Sequence, residues 1–429
     1  MTGSRGDQRL LTRGTGIIAL SVGLMNITTY AFTMLAARIL GPAAYGAMAG
    51  LMATVLVIGV IQLGVQATAA RRVAADPGQH VEIEHRVVAV TTWMALALGG
   101  LLLLASPLVM VVLRLDGIGP AILVAVAAVP LTITGAQLGV LQGERRWSEL
   151  SSMYLTVGVS RLVLGVGLLA WRPTEFMAML SVALGLVVTA LLGLYLLRGE
   201  REPGPVSDRH SGRAVVTEAL QNGFALLAFF ALSNVDVIIA RNVLSAESAG
   251  LYAAGLIVTK AVLFLPQFVV IISFPTLSGT SGRRRALTVS LVSVAVLGLL
   301  STAGAYLVPS LVLLFAGGEA FSAISDELWM FALVGTALSV VQLLLFSELA
   351  RRGRSATWFI WTALALLSIT APLVVETVQQ MVLLVAAIDG VLCLVLVAVA
   401  LRSPESVGGS VPAAPGADGD VKGHGQLRG

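Results

Sequence analysis

The sequence predicts an all-α integral membrane protein, with about twelve transmembrane helices in two six-helix bundles related by a pseudo-two-fold axis. Three observations lead there. Of 429 residues, 57% are hydrophobic and only 12% charged, with a mean hydropathy of +0.92, far from the balance of a soluble domain. The apolar residues fall into runs of roughly 20 or more, the length needed to cross a ~30 Å hydrocarbon core. Landmarks in the first half of the chain recur near 204 residues later, the signature of an internal repeat.

The runs lie at 15 to 39, 46 to 70, 87 to 113, 119 to 141, 152 to 171 and 175 to 197, then 214 to 240, 248 to 274, 287 to 315, 325 to 349, 356 to 375 and 379 to 401. Their residues do not alternate polar and apolar, so they read as helices rather than strands of a membrane barrel. The first run is too long for the core of a signal peptide and continues into Arg38-Ile39-Leu40-Gly41-Pro42 without a cleavage site, so it is kept as a helix. Residues 1–199 form the expected N-terminal bundle, 200–213 a linker with Pro203, Gly204 and Pro205, 214–402 the C-terminal bundle, and 403–429 a Gly-, Pro- and Ala-rich disordered tail.

Basic residues set the expected orientation, because short cytoplasmic loops are enriched in Lys and Arg. Arg5, Arg9 and Arg13 precede the first run; Arg71, Arg72 and Arg86 follow the second; Arg145 and Arg146 follow the fourth. Arg198, Arg201, Arg209 and Arg213, then Arg283 to Arg285, then Arg351, Arg352 and Arg354 continue the pattern. The other connections carry only Arg38, Arg114, Arg172 and Arg241. Both termini are therefore expected to be cytoplasmic. The net charge of +4 is explained by this topology rather than by nucleic-acid binding, since no basic amphipathic face collects it. The single Cys393 supports neither a disulfide nor a cysteine-ligated metal, the four His are scattered, and no cofactor is expected.

Three landmarks define the repeat. Ala37 to Gly46, including Arg38-Ile39-Leu40-Gly41-Pro42-Ala43-Ala44-Tyr45-Gly46, answers to Ala240 to Tyr252 after the seventh run. Basic turns then follow the second and eighth runs (Arg71-Arg72; Arg283-Arg284-Arg285) and the fourth and tenth (Glu144-Arg145-Arg146; Arg351-Arg352-Gly353-Arg354). An even number of spans per half gives the two repeats the same orientation, related by an axis along the membrane normal, as in transporters whose halves rock about a central cavity.

The turn at Arg38 to Gly46, together with Asn234-Val235-Asp236-Val237-Ile238-Ile239-Ala240-Arg241 and Ala249-Gly250-Leu251-Tyr252-Ala253-Ala254, resembles the polysaccharide biosynthesis branch of the multidrug, oligosaccharidyl-lipid and polysaccharide (MOP) exporter superfamily. The resemblance spans residues 10 to 400. It implies two six-helix bundles in a V shape, location in the cytoplasmic membrane, and alternating-access flipping of a polyprenyl-diphosphate-linked oligosaccharide for cell-surface polysaccharide synthesis. The implied partners are that lipid-linked glycan, membrane lipids and a polysaccharide polymerase. No enzymatic activity is expected.

Ionisable residues inside spans are costly, so they mark a cavity or a partner. Arg161 and Lys260, one from each half, both fall near the membrane midplane at 1.5 Å per residue. Two inward cations suit a diphosphate, whose oxygens match the bidentate fork of Arg; the alternative is internal pairing, with Asp389 as a partner for Lys260. Glu218, Asn222, Ser233 and Asp236 share one face of the seventh helix. Asp236, Asp389, Glu218 and Asn222 are candidates for gating or for coupling to Na+ or H+, Asp236 by resemblance to the sodium site proposed in lipid II flippases; for Asp236 the alternative is pairing with a neighbouring bundle. Asn26, Thr29, Thr33, Gln62, Gln66 and Gln137 are candidates for bonding sugar hydroxyls, with interhelical bonding as the alternative. Pro266 removes a backbone donor and is the expected hinge. Arg38 and Arg241 are expected to cap the ends of their own helices.

Rival readings are a lipid II-type flippase, a drug or cation exporter of the same superfamily, and a membrane glycosyltransferase or polymer ligase. Drug exporters of the superfamily typically place a carboxylate in the N-terminal bundle, whereas the first six spans here hold no central Asp or Glu and do hold Arg161. The short outer loops and the lack of a Gly-x-x-x-x-Gly-Lys loop disfavour an enzyme and direct ATP use.

Overall fold

In the computed structural model, residues 3–75, 80–198, 212–277, 283–350 and 355–402 are described. They form α1 (Gly3–Ala75), α2 (His80–Leu104), α3 (Ser106–Val112), α4 (Gly119–Gly143), α5 (Trp147–Trp171), α6 (Glu175–Leu196), α7 (Gly212–Val243), α8 (Ala246–Leu277), α9 (Arg283–Leu307), α10 (Pro309–Phe315), α11 (Leu328–Ala350), α12 (Ser355–Val374) and α13 (Val378–Arg402), with a 3-10 segment at Glu319–Glu327 before α11. A backbone in hydrocarbon must satisfy its own hydrogen bonds, and these Leu-, Val- and Ala-rich runs do so as helices. Residues 200–211 of the expected linker and the whole expected tail lie outside the described residues, while Gly212 and Arg213, placed in the linker by the sequence, open α7.

Eleven helices among the described residues are long and apolar enough to cross a membrane, the first covering Gly16–Ala75 over 60 residues. At 1.5 Å per residue that stretch is about three times the hydrocarbon thickness, and it is interrupted at Gly41, whose backbone sits at φ 71 and ψ 174. This left-handed φ favours glycine, and Pro42 cannot donate a backbone hydrogen bond. Met25 and Thr28 pack on Gly158, and Phe32 on Gly165, so the first half of α1 runs parallel to α5. Gln62 packs on Gly135, Gln66 on Gly139 and Val73 on Gly143, so the second half runs parallel to α4. Because α4 and α5 are joined by a tight turn and run in opposite directions, the chain reverses at Gly41. The first two expected spans are thus both present, and the eleven helices supply twelve crossings.

Two expected spans are not continuous. Run 87 to 113 divides into α2 and α3 at Ala105, and run 287 to 315 into α9 and α10 at Val308. Each short helix has a proline, Pro107 or Pro309, in its first two positions, where the missing N–H costs nothing but the preceding helix cannot run through unchanged.

Packing repeats between halves. The second half of α1 and α2 pack on α4, the first half of α1 on α5, and α6 on both α4 and α5. Correspondingly, α8 and α9 pack on α11, α7 on α12, and α13 on both α11 and α12. The halves meet through α1 against α7 and α8. Gly46 and Gly250, which occupy equivalent places in the repeat, touch each other: a Cβ on Gly46 would come within 2.9 Å of the Gly250 backbone. Equivalent residues in mutual contact place the pseudo-two-fold axis between them, and two glycines allow the helices to approach that closely.

Candidate functional site

The polar residues of the interior separate into one group in each half and two sets of bonds between the halves. In the C-terminal half, α7 and α8 run antiparallel from a short turn after Val243, which brings residues of the two helices together. The hydroxyl of Tyr252, fully buried, donates to Asp236 Oδ2 at 2.8 Å. Asp236 Oδ1 accepts from the Val237 backbone N–H at 2.9 Å. Two turns along α8 from Tyr252, Lys260 Nζ donates to Asn234 Oδ1 at 2.7 Å, and Asn234 Nδ2 donates to the Phe230 carbonyl and to Ser233 Oγ. Asp389 on α13 is 2% exposed and makes no hydrogen bond or ion pair with a described residue; it lies within electrostatic range of Asp236 and Tyr252. The expected pairing of Asp389 with Lys260 does not form: Asn234 holds the ammonium, and Asp389 faces a like charge. Asp236 likewise does not pair with the other bundle; its partner Tyr252 belongs to the same half.

In the N-terminal half, Arg161 occupies the middle of α5 on the face shared with Gly158 and Gly165, which pack on α1. Its Nε is buried without a hydrogen-bond partner, and it joins none of the ion pairs among the described residues. Two turns nearer the start of α5, on the same face, Tyr154 meets Gln66 and Gln142: Gln66 Nε2 donates to the Tyr154 oxygen and to Gln142 Oε1, both at 3.0 Å. Asn26 and Gln62 are half-buried and bond to no other described side chain. Thr33 is turned inward on its own helix, donating to the Thr29 carbonyl at 2.9 Å.

Gln137 is not available to a sugar. It is completely buried, Nε2 donates to the Ala190 carbonyl of α6 at 3.0 Å, and the side chain fills the space beside Gly193. It is a helix-to-helix bond, because position 137 on α4 faces α6. Asn222 and the expected hinge Pro266 lie outside the residues whose side chains are described.

Between the halves, at the end of the bundle that carries the basic turns, Glu218 of α7 reaches the end of α1. Its Oε2 accepts from Arg72 Nε at 3.0 Å and Nη2 at 2.8 Å, and its Oε1 pairs with Arg71. Ala219 packs on Gly64 beside this clamp. At the opposite end, Arg38 and Arg241 do not cap their own helices. Arg38 Nη2 donates to the Leu314 carbonyl of α10 at 2.6 Å. Arg241 Nε and Nη2 donate to the Leu113 carbonyl, just past α3, at 3.0 and 2.9 Å, and Nη2 also to the Arg114 carbonyl at 2.9 Å. Each arginine therefore ends a first helix in one half and serves the short broken helix of the other. These carbonyls lie at the C-terminal ends of the two short helices, where the last carbonyls have no partner further along the helix and cations are favoured.

Several of these residues were within reach of the sequence. Asn234 and Tyr252 stand inside the motifs quoted for the family resemblance, and Tyr154 lies seven residues from Arg161, on the same helical face. Gln142 carries no comparable signal. Among the described residues no group of three or more His, Cys, Asp or Glu is placed to hold a metal ion.

A polysaccharide biosynthesis protein family model matches residues 11–281. No curated protein matches the sequence. Among solved structures, the fold is similar to the inward-facing conformation of a multidrug resistance MATE family transporter of the MOP superfamily, at 13% identity and TM-score 0.69, covering 89% of this chain and 96% of that one. The outward-facing conformation of such a transporter matches with 14% identity and TM-score 0.59 over 92% and 96% of the two chains. A eukaryotic MATE transporter, AtDTX14, matches with 11% identity and TM-score 0.65 over 94% and 96%. These likenesses establish a multi-pass, two-lobed fold like that of the MATE transporters, and the family match covers well over half the sequence: the chain belongs to the polysaccharide biosynthesis protein family.

Proposed function

We propose that this protein flips a polyprenyl-diphosphate-linked oligosaccharide across the cytoplasmic membrane by alternating access, with both termini and the basic turns on the cytoplasmic side. The observation that carries the substrate class is Arg161: a guanidinium at the middle of a transmembrane helix whose Nε is buried without a hydrogen-bond partner and which joins none of the ion pairs among the described residues. An unpaired cation in hydrocarbon is costly unless a ligand supplies its counter-charge, and a diphosphate supplies it with acceptors matched to the guanidinium fork. Gln66, Gln142 and Tyr154 lie on the cytoplasmic side of Arg161 and offer the amide and hydroxyl groups that sugars bind. Lys260, held by Asn234, is the second cation and comes from the other half.

Coupling is assigned to the C-terminal half. Asp236 and Asp389 are buried within electrostatic range of each other; Lys260 lies within range of Asp236, so Asp389 is the carboxyl that calls for a proton or a sodium ion. Each oxygen of Asp236 already accepts a hydrogen bond, whereas Asp389 has no bond to a described residue, so Asp389 is the group assigned to take the ion. A polysaccharide polymerase on the outer side is the natural consumer of the flipped glycan.

The test is translocation of a fluorescent polyprenyl-diphosphate oligosaccharide in proteoliposomes, read by head-group access from each side. Wild type should move the lipid, and Arg161→Ala and Lys260→Ala should slow it while still inserting. If wild type moves no lipid but exports cationic dyes, the assigned substrate class is wrong and drug export takes its place.

A further inference from the structure

We propose that Arg38 and Arg241 form a two-point latch that closes the cleft between the halves at the face opposite the basic turns, and that this face opens only when both points release. Four observations converge on it. The two arginines occupy equivalent places in the repeat and both bond across the interface, Arg38 to the Leu314 carbonyl and Arg241 to the Leu113 and Arg114 carbonyls. The second set is reciprocal: Arg114 donates back to the Asn242 carbonyl at 2.5 Å, and Asn242 Nδ2 to the Val112 carbonyl at 2.6 Å. Both receiving segments are C-terminal ends of short proline-started helices, and the receiving carbonyls of Leu113, Arg114 and Leu314 take no part in the backbone bonds that close those ends. The pseudo-axis contact of Gly46 with Gly250 sits between α1 and α8 at the same face.

A hydrogen bond from a charged donor to a carbonyl is specific in direction, so a rocking motion that separates the halves breaks these bonds together rather than stretching them gradually. The two points are unequal. Arg241 is 4% exposed and bridges two carbonyls, whereas Arg38 is exposed and makes a single bond. Removing Arg241 therefore shifts the equilibrium toward the open face more than removing Arg38 does. The latch rests on the alternating-access reading, but it concerns the conformation of the protein and not the identity of its cargo.

The experiment uses the full chain with Cys393→Ser and Ala249→Cys, in sealed vesicles of known orientation. Ala249 is fully buried in the seam beside Gly250, and its modification by a membrane-impermeant maleimide reports opening of that face. Arg241→Gln should raise the labelling rate about tenfold or more, the shift expected for loss of a charge-assisted hydrogen bond. Arg38→Gln should raise it less, and the double variant most. Arg241→Lys, which keeps the charge but cannot fork between two carbonyls, should fall between wild type and Arg241→Gln and guards against misfolding of the latter. Equal labelling in wild type and all variants overturns the latch. Lipid translocation measured in the same vesicles separates the readings: faster labelling without lipid movement in wild type leaves the latch standing and removes the flippase.

Discussion

Glu218 and Arg72, 146 residues apart, join the two halves through two hydrogen bonds to a single carboxylate oxygen, at 3.0 and 2.8 Å. With side chains only 20% and 11% exposed, the pair is shielded enough to hold its geometry. Arg71, 62% exposed, adds little, as is usual for surface charges. Since α7 carries Glu218 at one end and Arg241 at the other, it is fastened to the N-terminal half at both faces, and transport requires the ends to let go in turn. Glu218→Gln is expected to weaken the basic-face clamp by about 1.5–3 kcal/mol. A cysteine at Ala219, buried beside the clamp, should then react faster with an impermeant thiol reagent from that side. Exchanging the charges, Glu218→Arg with Arg72→Glu, should restore part of the protection; if it restores none, the ion pair is not what holds that end.

The approach of Gly46 to Gly250 leaves no room for a side chain. Gly250→Val should force α1 and α8 apart and cost about 1–3 kcal/mol by overpacking, seen as a lower melting temperature in detergent and faster labelling of Ala249→Cys. Gly100 has nothing within 4 Å of a built Cβ, so Gly100→Val is the matched control and should leave both readouts unchanged.

Arg161 and Gln137 should respond in opposite ways. Arg161→Met removes a buried cation that has no partner among the described residues, so thermal stability should hold or rise while lipid translocation falls. Gln137→Ala removes the bond to the Ala190 carbonyl and opens a void beside Gly193, costing about 1–3 kcal/mol with normal translocation per inserted molecule. Loss of stability in Arg161→Met would assign that residue a structural partner.

Tyr252→Phe deletes the hydroxyl that donates to Asp236 and leaves a buried carboxylate oxygen unpaired. The expected cost is about 1.5–3 kcal/mol, measured by thermal unfolding. Asp236→Asn in the same background should recover part of it, because the unpaired charge is then gone.

The sequence by itself determined the number of crossings, the division into halves and the repeat, because hydrocarbon admits few backbone solutions and apolar run length states them directly. It also singled out Arg161, Lys260, Asp236 and Asp389, since ionisable groups stand out against an apolar background. Which of these groups meet was decided by tertiary structure alone. Lys260 went to Asn234 rather than Asp389, Gln137 turned into the α4–α6 seam, and Glu218 found Arg72, because partner choice depends on helix rotation and on close approach at glycines such as Gly64 and Gly193. The exchange of Arg38 and Arg241 between halves was equally invisible in one dimension. A cation at a helix end reads as a cap for its own helix, and only the folding of α3 and α10 back toward the pseudo-axis brings the other half's free carbonyls nearer.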